Sequence, residues 1–241
     1  MSSVSSTQIR ERHAAVMERI ARAAARSGRA AQRVRVVAVT KAQPLPVVAA
    51  AIEAGLTRLG ENYVEEALQK MAAFGPNLEW HMIGHVQRRK ARETASHFAL
   101  VHSLDSLALA QRLDRMAGEH GHRLAVLLEC NVSGEASKFG FAAHSPGERA
   151  GLMAQVNEIL RLPNLTVQGL MTVAPLGPSP EAARPVFADL RGLRDWLCAD
   201  LGQPIWPELS MGMSDDFEVA VEEGATLVRI GRALLGPRPS G

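Results

Sequence analysis

The sequence predicts an α/β fold, a single (β/α)8 TIM barrel with an extra helix at its N-terminus. Three observations carry that prediction. Eight short apolar runs alternate strictly with helical patterns within 241 residues, the connections between them are short, and no break in composition divides the chain. An open doubly wound sheet is the alternative, but it rarely needs eight strands joined so tightly. One domain over 1–241 is expected, with a core of about 30–236 and a frayed tail over 237–241.

From about Thr7 to Ser27, Ile9, Val16, Ile20 and Ala23–Ala24 recur among Arg and Glu, an amphipathic helix pattern that Gly28 ends. Val34 to Thr40 is β-branched and apolar, as in a parallel strand buried on both faces. Pro44 and Pro46 stop it, and Pro46 suits the first turn of a helix over about 46–54. The alternation then repeats: strand 58–61 and helix 63–74, strand 79–83 and helix 87–97, strand 100–103 and helix 106–120. Strand 124–131 precedes a Gly/Ser-rich loop and a helix over 147–161. Strand 165–172 leads through a Pro-rich loop (174–180) to a long helix over 181–201. Strand 206–211, a short helix over 215–223, strand 226–230 and a last helical turn to Leu235 complete the series.

Composition narrows the function classes. With 46% hydrophobic and 22% charged residues, the chain reads as an ordinary globular protein. A formal net charge of +2 is poor support for a nucleic-acid partner. No apolar run approaches the roughly 18 residues of a membrane span. The polar first twelve residues lack a signal-peptide core, and Cys130 and Cys198 form no spaced framework. A reduced, cytoplasmic protein is expected.

In a barrel the strand ends converge on one face, which here carries Lys41, Gly60-Glu61-Asn62, His81 with Gly84, Asn131, Met171, Ser210-Met211-Gly212, and Arg229 with Gly231. Glycines and polar residues of this kind make a small-molecule site. A lone lysine is usually solvated surface. At a barrel mouth, however, an amine partly removed from water becomes a nucleophile toward an aldehyde. Only four of the 27 basic residues are lysine (41, 70, 90 and 138), so surface charge is left mainly to arginine, whose guanidinium cannot deprotonate. Arg229-Ile230-Gly231-Arg232 ends a strand and starts a helix, where backbone N–H groups beside a glycine can hold a phosphate. A plain strand-to-helix turn is the bland alternative. In the loop before it, Asp215 and Glu218 read as an N-cap and capping-box partner, while Ser210 and the Gly212 backbone can still donate to a phosphate.

Two sharper readings fail. His81 and His85 straddle a strand end, so no helical face pairs them as metal ligands, and no metal is expected. The basic run His85 to Arg92 has no interleaved aromatic residues to stack bases, so a solvated helix explains it and no nucleic acid is expected.

Seven segments, VAVTKAQP (37–44), LGENYVEEALQK (59–70), LEWHMIGHVQRRK (78–90), NVSGEASKFGF (131–141), GLMTV (169–173), LSMGMSDD (209–216) and VRIGRALLG (228–236), together resemble the pyridoxal phosphate homeostasis proteins, also called the YggS/PROSC family. The match runs in order over nearly the whole chain and implies a barrel of the alanine racemase N-terminal domain type. It implies that Lys41 forms a Schiff base with pyridoxal 5′-phosphate (PLP), that Asn62 lies beside the cofactor ring, and that Arg229 faces the pyridine nitrogen. Ser210, Gly231 and Arg232, the last through its backbone N–H, are implied to hold the phosphate. Thr40 and His85 depart from the pattern, standing where many relatives have serine and some have proline.

The resemblance also implies binding and transfer of PLP without catalysis, so no catalytic residue is assigned. A guanidinium has no proton to accept and leaves the pyridine nitrogen unprotonated, a weak electron sink. Racemisation also needs a second acid/base opposite the lysine, and the single tyrosine, Tyr63, has no evident route there. An amino-acid racemase or related PLP enzyme is the alternative. The expected partners are PLP and PLP-dependent apoenzymes, with no membrane, and the expected state is a monomer.

Overall fold

Eight parallel strands close into a ring in this computed structural model, which describes residues 4–175 and 177–237. The strands are β1 (Arg35–Val39), β2 (Arg58–Glu61), β3 (Glu79–Met82), β4 (Leu100–Leu104), β5 (Leu124–Asn131), β7 (Leu165–Met171), β8 (Glu208–Ser210) and β9 (Leu227–Ile230). Each pairs with its neighbours in the wall, and β1 closes the ring by pairing with both β2 (Ala38 with Leu59) and β9 (Val37 with Arg229). The barrel expected from the alternation is therefore present. Around it run α1 (Ser6–Arg26), α2 (Leu45–Glu53), α3 (Val64–Phe74), α4 (Ala91–His97), α5 (Leu107–Glu119), α6 (Pro146–Ile159), α7 (Arg184–Asp200), α8 (Phe217–Glu222) and α9 (Arg232–Leu235).

Three details depart from the expected elements. A two-residue strand, β6 (Phe141–Ala142), pairs with the end of β5 inside the loop read as irregular. Gly140 makes this approach feasible: its φ is 109°, and a Cβ there would lie 2.7 Å from the carbonyl oxygen of Glu129. The helix expected over 87–97 begins as a 3-10 turn (Arg88–Lys90), and that over 181–201 does likewise (Pro180–Ala183). Of the expected tail, 238–241 lie outside the described residues.

The extra helix α1 is present. Ser5 accepts from the backbone N–H of Gln8, and the Gln8 side chain accepts in return from Ser5 N–H, a capping box. Its buried face, Ile9, Val16, Ile20, Ala23 and Ala24, packs toward α2, α8 and α9. Burying side chains the size of Ile and Val contributes roughly 1.5–3 kcal/mol each, which holds an otherwise charged helix in place.

Alternation along each strand splits the wall into two environments. Outward residues such as Ala38, Leu59, Trp80, Val126, Leu170 and Val228 join the main apolar core under the helices. Inward residues form only a small apolar cluster, Val37, Leu100, Leu127, Met171 and Leu227. The apolar reading of the strands thus holds for the outer face. Between the strands the barrel also buries His81, His102, Glu129, Ser210 and Arg229. Among the described residues no helix is long and apolar enough to cross a membrane.

Candidate functional site

β1 stops at Val39, and Thr40 to Gln43 form a tight turn in which the Gln43 N–H donates to the Thr40 carbonyl (3.0 Å). Lys41 is half-buried in this turn. Ala42 follows at φ 57°, a left-handed conformation that no other non-glycine residue adopts among those described. Beside the turn lies a buried ionic cluster. Lys70, from α3, donates to the Thr40 carbonyl (2.7 Å), to Glu61 Oε1 (2.7 Å) and to Glu66 Oε1 (2.6 Å). Thr40 Oγ1 also donates to Glu61 Oε1 (2.5 Å). Burial pushes the Glu61 carboxyl upward, opposed by the hydrogen bonds from Lys70 and Thr40.

Asn62 follows β2 and is half-buried. Gly84 lies against its backbone so closely that a Cβ would fall 2.6 Å from the Asn62 Cα, so this glycine fixes where the β2 loop sits. On the other side of β1, the Arg229 side chain of β9 is buried within the barrel. Its Nη1 donates to Ser210 Oγ (2.7 Å) and its Nη2 to the Thr172 carbonyl (2.9 Å). Among the described residues it has no carboxylate at ion-pair distance. Burial lowers its pKa to about 10, with the more distant Glu129 and Asp216 acting the other way.

Ser210 continues a chain through the barrel. His102 Nδ1 is 2.7 Å from Ser210 Oγ, His102 Nε2 is 2.9 Å from His81 Nδ1, and His81 Nε2 is 2.9 Å from Glu79 Oε1. Arg229 can only donate and the Glu79 carboxylate accepts, so one proton on each imidazole satisfies every link. The Ser210 O–H then donates to His102, and His102 donates to His81. Burial foremost, with the nearby Arg229 charge, holds the His102 pKa well below the usual histidine range, consistent with a single ring proton. The Ser210 hydroxyl, read as a phosphate ligand, is in this structure committed to Arg229 and His102.

The serine beside the Arg229–Gly231 turn is Ser214, whose Oγ accepts from the Ala233 N–H (3.3 Å). The expected capping box at Asp215 and Glu218 is not formed. α8 starts at Phe217 with Asp216 as its N-cap residue, and the Asp216 carboxylate turns back to accept from Met213 N–H (2.6 Å). Asp215 instead pairs with the exposed Arg232 side chain (2.7 Å), and Glu218 with Arg19 (2.8 Å). A cavity of about 320 Å³ opens beside this turn, lined by Val39, Gln43, Gly231 and Arg232.

Lys41, Asn62, Ser210, Arg229, Gly231 and Arg232 thus sit on or just after β2, β1, β9 and β8, four consecutive strands of the wall. A second cavity of about 430 Å³ lies beyond Asn62, lined also by Tyr63, His85, Glu129 and Phe139. The nine-tenths-buried Glu129 carboxyl makes no hydrogen bond among the described residues. Burial, with the nearby Asp105 charge, raises its pKa to about 7, against the pull of Arg229. His85 stacks on Phe139 and bonds to Asp105 (2.8 Å), while His81 points into the barrel, so the two share no site. Among the described residues no group of three His, Cys, Asp or Glu is placed to hold a metal ion.

The sequence did not single out Lys70, Glu66, His102, Glu129 and Ser214 as site residues. Two of these carried a signal: Lys70 is one of the few lysines, and Ser214 is the second serine of the SMGMS segment.

Comparison with known proteins gives a consistent answer. The family described as alanine racemase, N-terminal domain, matches residues 13–239. The pyridoxal phosphate homeostasis protein of Pseudomonas aeruginosa is 44% identical over 238 residues, covering 97% of each chain. Its counterpart in Aquifex aeolicus is 42% identical over 229 residues, covering 95% of this chain and 97% of the other. The structure of PipY from Synechococcus elongatus PCC7942 with PLP bound superposes with a TM-score of 0.81 at 36% identity, covering 95% of this chain and all of that one.

Proposed function

The chain belongs to the pyridoxal phosphate homeostasis proteins, within the alanine racemase N-terminal domain family, and from that premise we propose that it binds PLP as a Schiff base on Lys41 and serves intracellular PLP homeostasis without catalytic turnover. It acts in this reading as one barrel domain, a cytoplasmic monomer that passes PLP to PLP-dependent apoenzymes.

The residues fit the cofactor, and Arg229 is the observation that carries the reading. A buried guanidinium held, among the described residues, by a hydroxyl and a carbonyl keeps further N–H donors available, and a pyridine nitrogen is an acceptor that can use one. Lys41 stands just after the adjacent strand β1 as the amine, and Asn62, just after β2, would provide an amide beside the ring. Gly231 and the Arg232 backbone N–H would hold the phosphate with Ser210, which Arg229 orients, while Ser214 Oγ lies beside the same turn. PLP supplies an aldehyde that condenses with an amine and, when its ring nitrogen is protonated, an electron sink. A guanidinium stays charged and can only donate, so Arg229 would leave that nitrogen unprotonated. The lysine would therefore tether the cofactor, and the arginine would leave its ring a weak electron sink.

Incubated with PLP, the purified protein should develop a near-visible Schiff-base band that Lys41→Ala abolishes. A band of full strength in Lys41→Ala would overturn the assignment.

One observation favours the second reading, an amino-acid racemase or related PLP enzyme. Glu129, a carboxyl titrating at about 7 in the mouth cavity, has the character of an acid/base group. Incubating the PLP-loaded protein with L-alanine and other amino acids in deuterated water separates the two. Exchange of the α-proton no faster than with free PLP supports the carrier; faster exchange supports the enzyme.

A further inference from the structure

The two peptide groups flanking Lys41 are both held by one charge cluster, buried at Lys70 and Glu61 and partly exposed at Glu66. On one side the Thr40 carbonyl accepts from Lys70 Nζ (2.7 Å); on the other the Ala42 N–H donates to Glu66 Oε1 (2.6 Å). Lys70 and Glu66 are themselves paired (2.6 Å), one turn apart on α3, and Glu61 anchors Lys70 from β2 (2.7 Å). We propose that Lys70 and Glu66 are positioning residues that clamp the 40–43 turn and so set the direction in which Lys41 presents its amine. The inference rests on the reading of Lys41 as the PLP-binding lysine.

Three features argue for a clamp over an ordinary stabilising contact. A buried ion pair is a poor source of stability, because desolvation cancels most of its attraction. The bonds of this one run to the backbone on either side of a single residue. Ala42 is also left-handed at φ 57°, a conformation unfavourable for alanine that persists only where its surroundings impose it. The Gln43 N–H bond to the Thr40 carbonyl closes the turn, and the Glu66 bond to the Ala42 N–H is the side-chain contact that holds Ala42 in it. Released from Glu66, the turn can relax to ordinary backbone angles, swinging Lys41 away from the arc it shares with Arg229.

The test uses the full chain. Amide exchange at Ala42, followed by NMR without PLP, should be protected in the wild type and at least tenfold faster in Glu66→Ala, the scale of one charge-assisted hydrogen bond. On addition of PLP, the Schiff-base band should form about tenfold more slowly in Glu66→Ala and Lys70→Met, and close to the wild-type rate in Glu66→Gln, whose amide oxygen can still accept. Ala42→Gly, which adopts positive φ without strain, should recover most of the rate in the Glu66→Ala background. If Lys70→Met does not fold, the Glu66 and Ala42 variants decide the matter. Folded Glu66→Ala with unchanged Ala42 exchange, or with a wild-type rate of band formation, overturns the clamp. Absence of any band in the wild type overturns the reading of Lys41 instead, and the exchange data then still judge the clamp.

Discussion

Lys41, in the turn just after β1, and Arg229, on the adjacent strand β9, are held in place by opposite chemistries. Around Lys41 the supporting groups are charged: one ammonium and two carboxylates, gathered at the backbone on either side of it. Around Arg229 they are neutral: a serine hydroxyl, a carbonyl and, behind the serine, two imidazoles. The contrast assigns each kind of group to a task. Charges fix a backbone that would otherwise relax, since an ionic hydrogen bond is worth more than a neutral one. Neutral partners orient a guanidinium without consuming its charge, which stays available to an incoming acceptor.

The charged support of the Lys41 turn is most vulnerable at Lys70. Lys70→Met leaves the Glu61 carboxyl buried without its cation, and the loss should be about 3–5 kcal/mol in denaturant unfolding. A much smaller loss means that the cluster is not charged as described.

Glu129 offers the next largest effect, on the Arg229 side. Its pKa is raised in the fold to about 7 from the ordinary 4.5, so the folded state holds a proton that the unfolded chain releases. The contribution of Glu129 to stability is therefore greatest at low pH and falls as pH rises from about 4.5 through about 7. Glu129→Gln removes the penalty and should raise stability at pH 8 by on the order of 3 kcal/mol, with the gap narrowing toward pH 5. Unfolding curves at the two pH values, without PLP, check the sign. A gap that widens toward low pH contradicts it.

His102→Phe should cost about 2 kcal/mol, because it leaves Ser210 and His81 each without a buried partner. The same variant should hold PLP less tightly in equilibrium dialysis, since Arg229 loses the support of an oriented hydroxyl. Unchanged retention would separate the imidazole chain from the site. Smallest is the surface pair: Asp215→Ala should shift stability by less than about 1 kcal/mol, because Asp215 and Arg232 are mostly exposed and screened by solvent. Melting curves at matched ionic strength would register anything larger.

The two regions also differ in how far they can be read from sequence. The outer layer of the barrel is legible because residues such as Ala38, Leu59 and Val228 continue apolar runs whose alternation with helices defines the fold. The arc of Lys41, Asn62, Arg229 and Gly231 is legible too, because each stands at the end of such a run. What supports the arc is not legible. Lys70 lies on an amphipathic helix, where local periodicity reads a lysine as solvated, and only the packing of α3 against the end of β1 buries it. His81 and His102 are 21 residues apart in sequence and 108 residues separate His102 from Ser210, so the chain they form exists only once the barrel has closed. The Asp215 cap fails for a related reason: the choice between two neighbouring aspartates is made by Met213 N–H and Arg232, contacts set by the loop.

The central claim is that Lys41 alone carries the cofactor. Its most direct test is borohydride reduction of the PLP-loaded protein at sub-stoichiometric PLP, followed by peptide mass spectrometry to locate the phosphopyridoxyl group. The account predicts the group on Lys41 and its absence from Lys70, whose amine is buried in three hydrogen bonds. A group found chiefly on Lys70, Lys90 or Lys138 would contradict it.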